Sequence, residues 1–580
     1  MPARRGVLLF VLLLAALGVL VLIATLRLRG PSSGSPTASV VLTLDVPSVL
    51  PETSPPYRFV PSFASFRRSR MTVFELTHGI RRAATDDRVR GLVLHLGSVD
   101  WGWARIAEVR DAILRFRAAG KPVYAGLSDA SSEAELLVAS AADVVSLPPT
   151  ANLAIDGLTL SALFFRGTFD KVGITPNFAH IGRYKSAAEA YTRTGMSEDA
   201  RASFESLLED DFRGFVDSLA ASRHLPRDSV VRLVDHGPFT AREALAAGLV
   251  DTLIYDAELD SLAMRRGPGA LDRLRFSRWL DRQSEPGGSS RIALVVAAGA
   301  IVPGRSRESA MNGLELGSET LCEALREARR RSSIRAVVLR IDSPGGVSSA
   351  SDEIWREVER CRRVKPVIVS MSDYAASGGY YIAAPADSIV AEPGTITGSI
   401  GVFGGKLNVL GLYRKLGLNV ETVSRGRHAG MFSSVRDFTP EEATRYEAML
   451  DTFYRGFVQR VAAGRRMRTA QVDSIGQGRV WSGSEARAIG LVDRLGGLDA
   501  AIEMARARAH MPVGEPAIEH FPRVTRSLVQ RMLEGLFDED DEESDAELAS
   551  LPPVVLAWLA ASRIPSGTVL ALLPWSLEIR

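Results

Sequence analysis

Ser377 stands in "YAASGGYYIAAPAD", residues 374 to 387, between small residues and directly before two glycines, just past the run "KPVIVSMSD" that reads as a buried strand. A serine hydroxyl is a weak nucleophile until a neighbouring base takes its proton, and a lysine is one recurring base. A candidate lysine, Lys185, lies far upstream in "GRYKSAAEAYTRTGMS", residues 182 to 197. To act it must be neutral, and burial or nearby cations lower an amine from about 10.4 by up to several units. Ala375, Ala376, Gly378 and Gly379 would admit a peptide backbone to a serine at a helix start and leave the Gly378 N–H free to donate. "DSPGG", residues 342 to 346, ends the apolar run "AVVLRI", and open α/β sheets bind ligands at the carboxyl ends of their strands. The backbone N–H groups of Gly346 and Gly378 are therefore the candidate oxyanion donors.

Each motif alone has a plainer reading. "ASGGYY" also suits a helix start packed tightly on a sheet, "DSPGG" a type II turn, and Lys185 a solvated surface lysine. A Ser–His–Asp arrangement is the mechanistic rival, and His428 is the histidine at a plausible distance after Ser377. What ties Ser377 to Lys185 is a repeat.

"RVRGLVLHLGSVD" from Arg88 matches "SIRAVVLRIDSPGG" from Ser333, and "GKPVYAG" from Gly120 matches "VKPVIVS" from Val364. "FRGFV" from Phe212 matches "YRGFV" from Tyr454, and "AAGLVD" from Ala246 matches "AIGLVD" from Ala488. Two copies of one domain are expected at 38–281 and 291–510, joined by the turn-rich linker 282–290. Each alternates short Val/Ile/Leu runs with amphipathic stretches, the pattern of βα units around a buried, largely parallel sheet.

The functional residues do not repeat. At an offset of 244 Glu133 stands opposite Ser377, and the glycine-poor "GSVDW" faces "DSPGG". Lys185 projects onto Arg427, and arginine stays protonated at any accessible pH, so it cannot be a general base. One copy keeps the lysine and the other the serine, which predicts that the copies close on each other.

The 70 Lys and Arg residues against 68 Asp and Glu leave a net charge of +2, without the basic footprint of a nucleic-acid binder. Cys322 and Cys361 are read as free thiols, since neither has metal-ligand spacing. Residues 1–29 contain an uncharged run, 6–26, long enough to cross a bilayer and lacking a small-x-small cleavage site; a retained anchor is expected, inserted in the lipid bilayer, with the bulk of the chain outside the cytoplasm. Residues 30–37, "GPSSGSPT", read as a tether. The C-terminal extension 511–580 holds an acidic spacer at 538–547 and an apolar, proline-broken tail, which could pack on the body, line a peptide groove or touch a membrane surface.

Together "RIDSPGG", "DYAASGGYYIAAPAD", "PGTITGSIGVFG" and "GRYKSAAEAYTRTGMS" resemble the long, duplicated form of the signal peptide peptidase A, or protease IV, family over about 38–510. The resemblance implies an α/β protein of two tandem crotonase/Clp-protease-like ββα-repeat domains behind an N-terminal transmembrane helix. It implies a serine endopeptidase at the bacterial inner membrane facing the periplasm, with Ser377 as nucleophile, Lys185 as general base and Ser399 orienting the lysine. Cleaved signal peptides and other extended hydrophobic peptides are the implied substrates, a homotetramer the implied assembly, and no metal or organic cofactor is needed. The family more often has a proline near Ala190, a departure that bears on loop shape. An inactive peptide-binding or scaffolding relative is the alternative; an acyl-coenzyme A enzyme is disfavoured, because an exported chain would not meet that cofactor.

Overall fold

The structure, a computed structural model, describes residues 39–53, 71–265, 271–283, 287–309, 313–522 and 569–572. The expected anchor at 6–26, the tether and the acidic run lie outside the described residues. Among the described residues no helix is long and apolar enough to cross a membrane.

Two sheets follow the repeat, parallel but for the antiparallel pair Ile396–Gly398 and Val480–Ser482 at the edge of the second. In the first, Ser39–Val46, Val89–Leu96, Val123–Gly126, Val144–Leu147 and Thr252–Leu253 lie side by side, with Leu271–Arg275 on the outer edge of Ser39–Val46. The second has the same order: Arg291–Ala298, Ile334–Ser343, Val367–Ala376, Ser388–Ala391 and Arg494–Leu495, with Ala517–Phe521 outside Arg291–Ala298. That last strand lies past residue 510, where the extension was expected to begin, so the second sheet is closed by a segment from that extension. Runs such as "AVVL" are apolar throughout because these strands are covered on both faces. The helix Ser318–Arg330 buries Leu321, Cys322, Ala324, Leu325 and Ala328, a three-to-four spacing that lays one stripe on the sheet. Cys322 and Cys361 are both free and buried.

Each repeat also carries a 26-residue helix, Glu198–Arg223 and Pro440–Arg465. Both start on a hydroxyl cap, Ser197 or Thr439, which accepts a first-turn N–H, and both stop at a left-handed residue, His224 or Arg466.

The repeats are locked together by buried charge. The guanidinium of Arg340, in the middle of Ile334–Ser343 and fully buried, pairs with Glu52 at 2.9 Å and Glu108 at 2.6 Å from the first repeat, and donates to the hydroxyls of Ser370 and Ser372. Burial alone would raise the Glu52 carboxyl, but Arg340 and Arg105 hold it down at about 2. For Glu108 burial wins over Arg340, and its carboxyl rises to about 7. Beside this cluster Arg105 pairs with both Asp342 and Asp373. The Asp373 carboxylate also accepts the N–H groups of Gly102 and Arg105, 3.2 and 3.0 Å away, so it sits on the N-terminus of the helix Trp103–Ala118 from the other repeat.

A third sheet is shared. Its seven strands run in the order Arg307–Ser309, Gly313–Gly317, Ala300–Val302, Gly345–Val347, Val569–Leu572, Val402–Asn408 and Thr175–Ile181. The final pair is antiparallel from Ile181↔Val402 to Thr175↔Asn408, and it carries a first-repeat strand into a sheet otherwise built by the second half of the chain.

Candidate active site

Val367–Ala376 ends at Ser377, which caps the short helix Gly378–Ala383. Its backbone is held at φ 54° and ψ −110°, a conformation that costs a non-glycine residue on the order of 1–3 kcal/mol. Two neighbours fix it: the Ser377 N–H donates to the Gly398 carbonyl at 2.8 Å, and the Ser377 carbonyl accepts from Tyr381 N–H at 2.8 Å. The Ser377 N–H is therefore taken, whereas the helix leaves Gly378 N–H, in its first turn, without an intrahelical acceptor.

Lys185 arrives from the other repeat. The strand Thr175–Ile181 ends against Val402, the chain turns through "GRYK", and the Tyr184 N–H donates to the Gln477 carbonyl at 2.8 Å. This pins the turn to the second repeat and points the lysine inward, where it is 1% exposed. Lys185 Nζ lies 2.8 Å from Ser377 Oγ, 2.9 Å from Ser399 Oγ and 3.3 Å from the Ser399 carbonyl. Ser377 and Ser399 are themselves fully buried. Burial holds the Lys185 amine well below its ordinary 10.5, and no carboxylate is among the causes to pull it back. A neutral amine in hydrogen-bond contact with a serine hydroxyl can accept its proton.

The "DSPGG" turn lies against the same helix start. Ser343 Oγ donates to the Gly299 carbonyl at 2.7 Å and accepts from the Gly345 N–H, fixing the turn. A Cβ at Gly346 would come within 2.1 Å of the Ile301 carbonyl oxygen, and one at Gly379 within 2.8 Å of the Ser343 carbonyl oxygen, so the glycines here are demanded by close backbone approach. Asp342, which opens the motif, faces back into the ion cluster: its carboxylate takes Arg105 and the Tyr374 N–H. Burial raises the Asp342 carboxyl to about 6 even with Arg105 beside it.

His428 is placed elsewhere. Its ring nitrogens lie 3.6 Å from Glu441 and 3.8 Å from Glu442, at the start of the helix Pro440–Arg465, while the hydrogen-bond partner of Ser377 Oγ is Lys185. Arg427, the residue onto which Lys185 projects, is exposed and 3.5 Å from Glu441. Among the described residues no group of three or more His, Cys, Asp or Glu side chains could hold a metal ion.

Glu52, Arg105, Glu108, Arg340 and Asp373, which join the two repeats by buried ion pairs, are not marked by any of the repeat or motif signals in the sequence. One signal was available: "LRIDS" puts a cation and an anion inside an otherwise apolar central strand, and such charges persist there only when paired.

The model of Peptidase family S49 matches residues 115–265 and 359–511, one match in each repeat. The chain belongs to this family. It is similar to "Serine protease SPPA, chloroplastic" of Arabidopsis thaliana, 34% identical over 81% of this chain and 73% of that protein. "Protease 4" of Haemophilus influenzae is 31% identical over 80% of this chain and 78% of its own length, and "Protease 4" of Salmonella typhi 30% over 84% and 81%. Family S49 membership makes the chain a protease of the serine class, with an α/β architecture duplicated along its length.

Proposed function

We propose that the chain is a membrane-anchored serine endopeptidase working through a Ser–Lys dyad on extended hydrophobic peptides, among them signal peptides already cleaved from their precursors. The observation that carries the reading is the 2.8 Å approach of Lys185 Nζ to Ser377 Oγ, both buried and drawn from different repeats. Neutral Lys185 accepts the Ser377 proton as Oγ attacks the scissile carbonyl carbon. The resulting oxyanion takes hydrogen bonds from the N–H groups of Gly378 and Gly346, each worth about 3 kcal/mol of barrier. Collapse breaks the C–N bond, and the Lys185 ammonium returns its proton to the leaving amine. Water then attacks the acyl-enzyme with Lys185 again as base, releasing the acid and Ser377. Ser399 Oγ, 2.9 Å from Nζ, orients the amine throughout.

The finer placement belongs to the same reading: crotonase/Clp-protease-like repeats, a single anchor at 6–26 in the bacterial inner membrane, catalytic domains facing the periplasm, and a homotetramer. Its support is the length and apolarity of that run and the resemblance of the motifs. The test is labelling of the full chain by a fluorophosphonate, comparing wild type with Ser377→Ala, Lys185→Ala and His428→Ala, each checked for folding. Labelling lost in the first two and kept in the third is expected. A folded wild type that stays unlabelled, or labelling that depends on His428, overturns the dyad.

A further inference from the structure

A cleft of about 390 Å³ lies beside the turn that delivers Lys185, and neither dyad residue lines it. Its walls come from both repeats: Arg183 and Tyr184 from the first, Ser474, Gln477, Arg479 and Trp481 from the second. The guanidinium of Arg479 lies over two rings, 4.0 Å from the Trp481 centroid and 5.5 Å from that of Tyr184. Its Nε is buried without a hydrogen-bond partner, and no carboxylate pairs with this arginine among the described residues. Arg183 stands over the same Tyr184 ring at 4.5 Å and donates to the Tyr184 hydroxyl. The Asp199 carboxylate stays 3.9 Å from Arg183 Nε, beyond hydrogen-bond reach.

Two cations line one cleft, and one of them holds a buried donor that the protein leaves unused, which favours an anionic occupant. A carboxylate fits best, because a planar guanidinium donates to it in a two-pronged fork. We propose that the cleft binds the C-terminal carboxylate of a peptide, bridging Arg183 of the first repeat and Arg479 of the second, and that this occupant clamps the lysine turn. The same walls carry the scaffold of the dyad. The Tyr184 N–H donates to the Gln477 carbonyl, the Ser399 N–H to the Arg479 carbonyl at 2.7 Å, and the Gly478 N–H to the Ile400 carbonyl at 2.8 Å. A Cβ at Gly478 would come within 2.6 Å of Lys185 Cβ, so this loop is packed on the lysine itself. Gln477 and Ser399 are both held at φ 50°, a conformation that persists only where neighbours enforce it. A ligand that ties Arg183 to Arg479 adds one more such contact across the repeats. That the carboxylate is a peptide's rests on the endopeptidase reading, in which every hydrolysis of a C–N bond leaves a new carboxylate on the fragment released from Ser377. The arginine site itself does not depend on that reading.

Binding is measured by titration calorimetry on the full chain carrying Ser377→Ala, so that no peptide is consumed, with N-acetyl-leucyl-leucine, its C-terminal amide and sodium acetate. The acid should bind about tenfold more tightly than the amide, the loss expected when a charge-assisted hydrogen bond is removed. Acetate should bind more weakly than the acid. Arg479→Gln and Arg183→Gln should each weaken the acid about tenfold and leave the amide unchanged. Arg479→Lys, which keeps the charge without the fork, should fall between, and Arg427→Gln, at an exposed arginine beside Glu441, should change nothing. Amide hydrogen exchange at Tyr184 and Ser399 should slow when the acid is added and not when the amide is. Equal binding of acid and amide, or acid affinity kept in both glutamine variants, overturns the proposal; the second result would place the carboxylate on the Gly346 and Gly378 donors. Acetate as tight as the acid would overturn the peptide as its source, and exchange that does not slow would overturn the clamp. Arginine-dependent binding in a protein whose wild type hydrolyses no peptide would keep the cleft and sink the endopeptidase reading instead.

Discussion

At the end of Val123–Gly126 and of Val367–Ala376 the two repeats solve the same turn differently. In the first, Ser132 caps the helix Glu133–Ala139 with φ −97°, and its hydroxyl and N–H both reach the Glu135 carboxylate. In the second, Ser377 stands at φ 54° with its hydroxyl turned to a lysine from the other repeat. Glu133, opposite Ser377, accepts the N–H groups of Asp156 and Gly157 and ties down a loop. The contrast separates what the fold needs, a capped helix after a central strand, from what chemistry needs, a hydroxyl freed from capping. Ser132 carries no such strain, but the first repeat places a positive φ, 58°, at Ala130 in the same turn, so what is particular to the site is that the strained residue bears the reactive hydroxyl.

The lysine position is the other half of the contrast. Lys185 is buried, and its counterpart Arg427 is exposed and salt-bridged. Replacing Ser377 with Ala or Lys185 with Met should each lower kcat/KM by about four orders of magnitude, measured on a hydrophobic peptide. Lys185→Arg should fail as completely, because a guanidinium does not give up its proton. For wild type, log kcat/KM should climb with unit slope as Lys185 loses its proton and level off below pH 10.5. The same group links to stability. Between its depressed folded value and 10.5 the unfolded lysine binds a proton that the folded one refuses, so stability should rise with pH across that window. Lys185→Met should flatten the slope in urea unfolding followed from pH to pH.

Smaller effects test the frame. Arg340→Met strands Glu52 and Glu108 without their cation and should cost about 3–5 kcal/mol by denaturant unfolding. Ser399→Ala removes a hydroxyl from Lys185 and should lower kcat about tenfold, near 1.4 kcal/mol, with KM held. Ser132→Ala should cost about 1 kcal/mol of stability and leave kcat untouched; a loss of activity there would blur the distinction between the repeats.

How much of this was legible follows from sequence distance. The sheets could be read because apolar runs and amphipathic stretches are local patterns, and because "GLVD" and "KPV" recur in register. Ser377 and Lys185 stood out through complementary loss between copies, a comparison the chain carries within itself. The pairing of Arg340 with Glu52 and Glu108 spans hundreds of residues, and a lone Glu on an unplaced segment looks like any solvated surface group. Ser377's positive φ was hidden as well, since alanines and glycines around a serine suit a relaxed helix cap equally well. The tail was harder still: "TVLAL" has strand character, but nothing local says which edge it joins.

The account stands on a site divided between the two repeats of one chain, and mixing two crippled chains tests that division directly. Lys185→Met and Ser377→Ala chains, distinguished by mass, would be co-expressed, purified as one assembly and treated with fluorophosphonate beside wild type. Lys185 and Ser377 lie 2.8 Å apart within a single chain, so wild type should label and the mixed assembly should not. Label on the Ser377-bearing chain of the mixture would mean that a neighbour supplies the lysine, and would contradict the account.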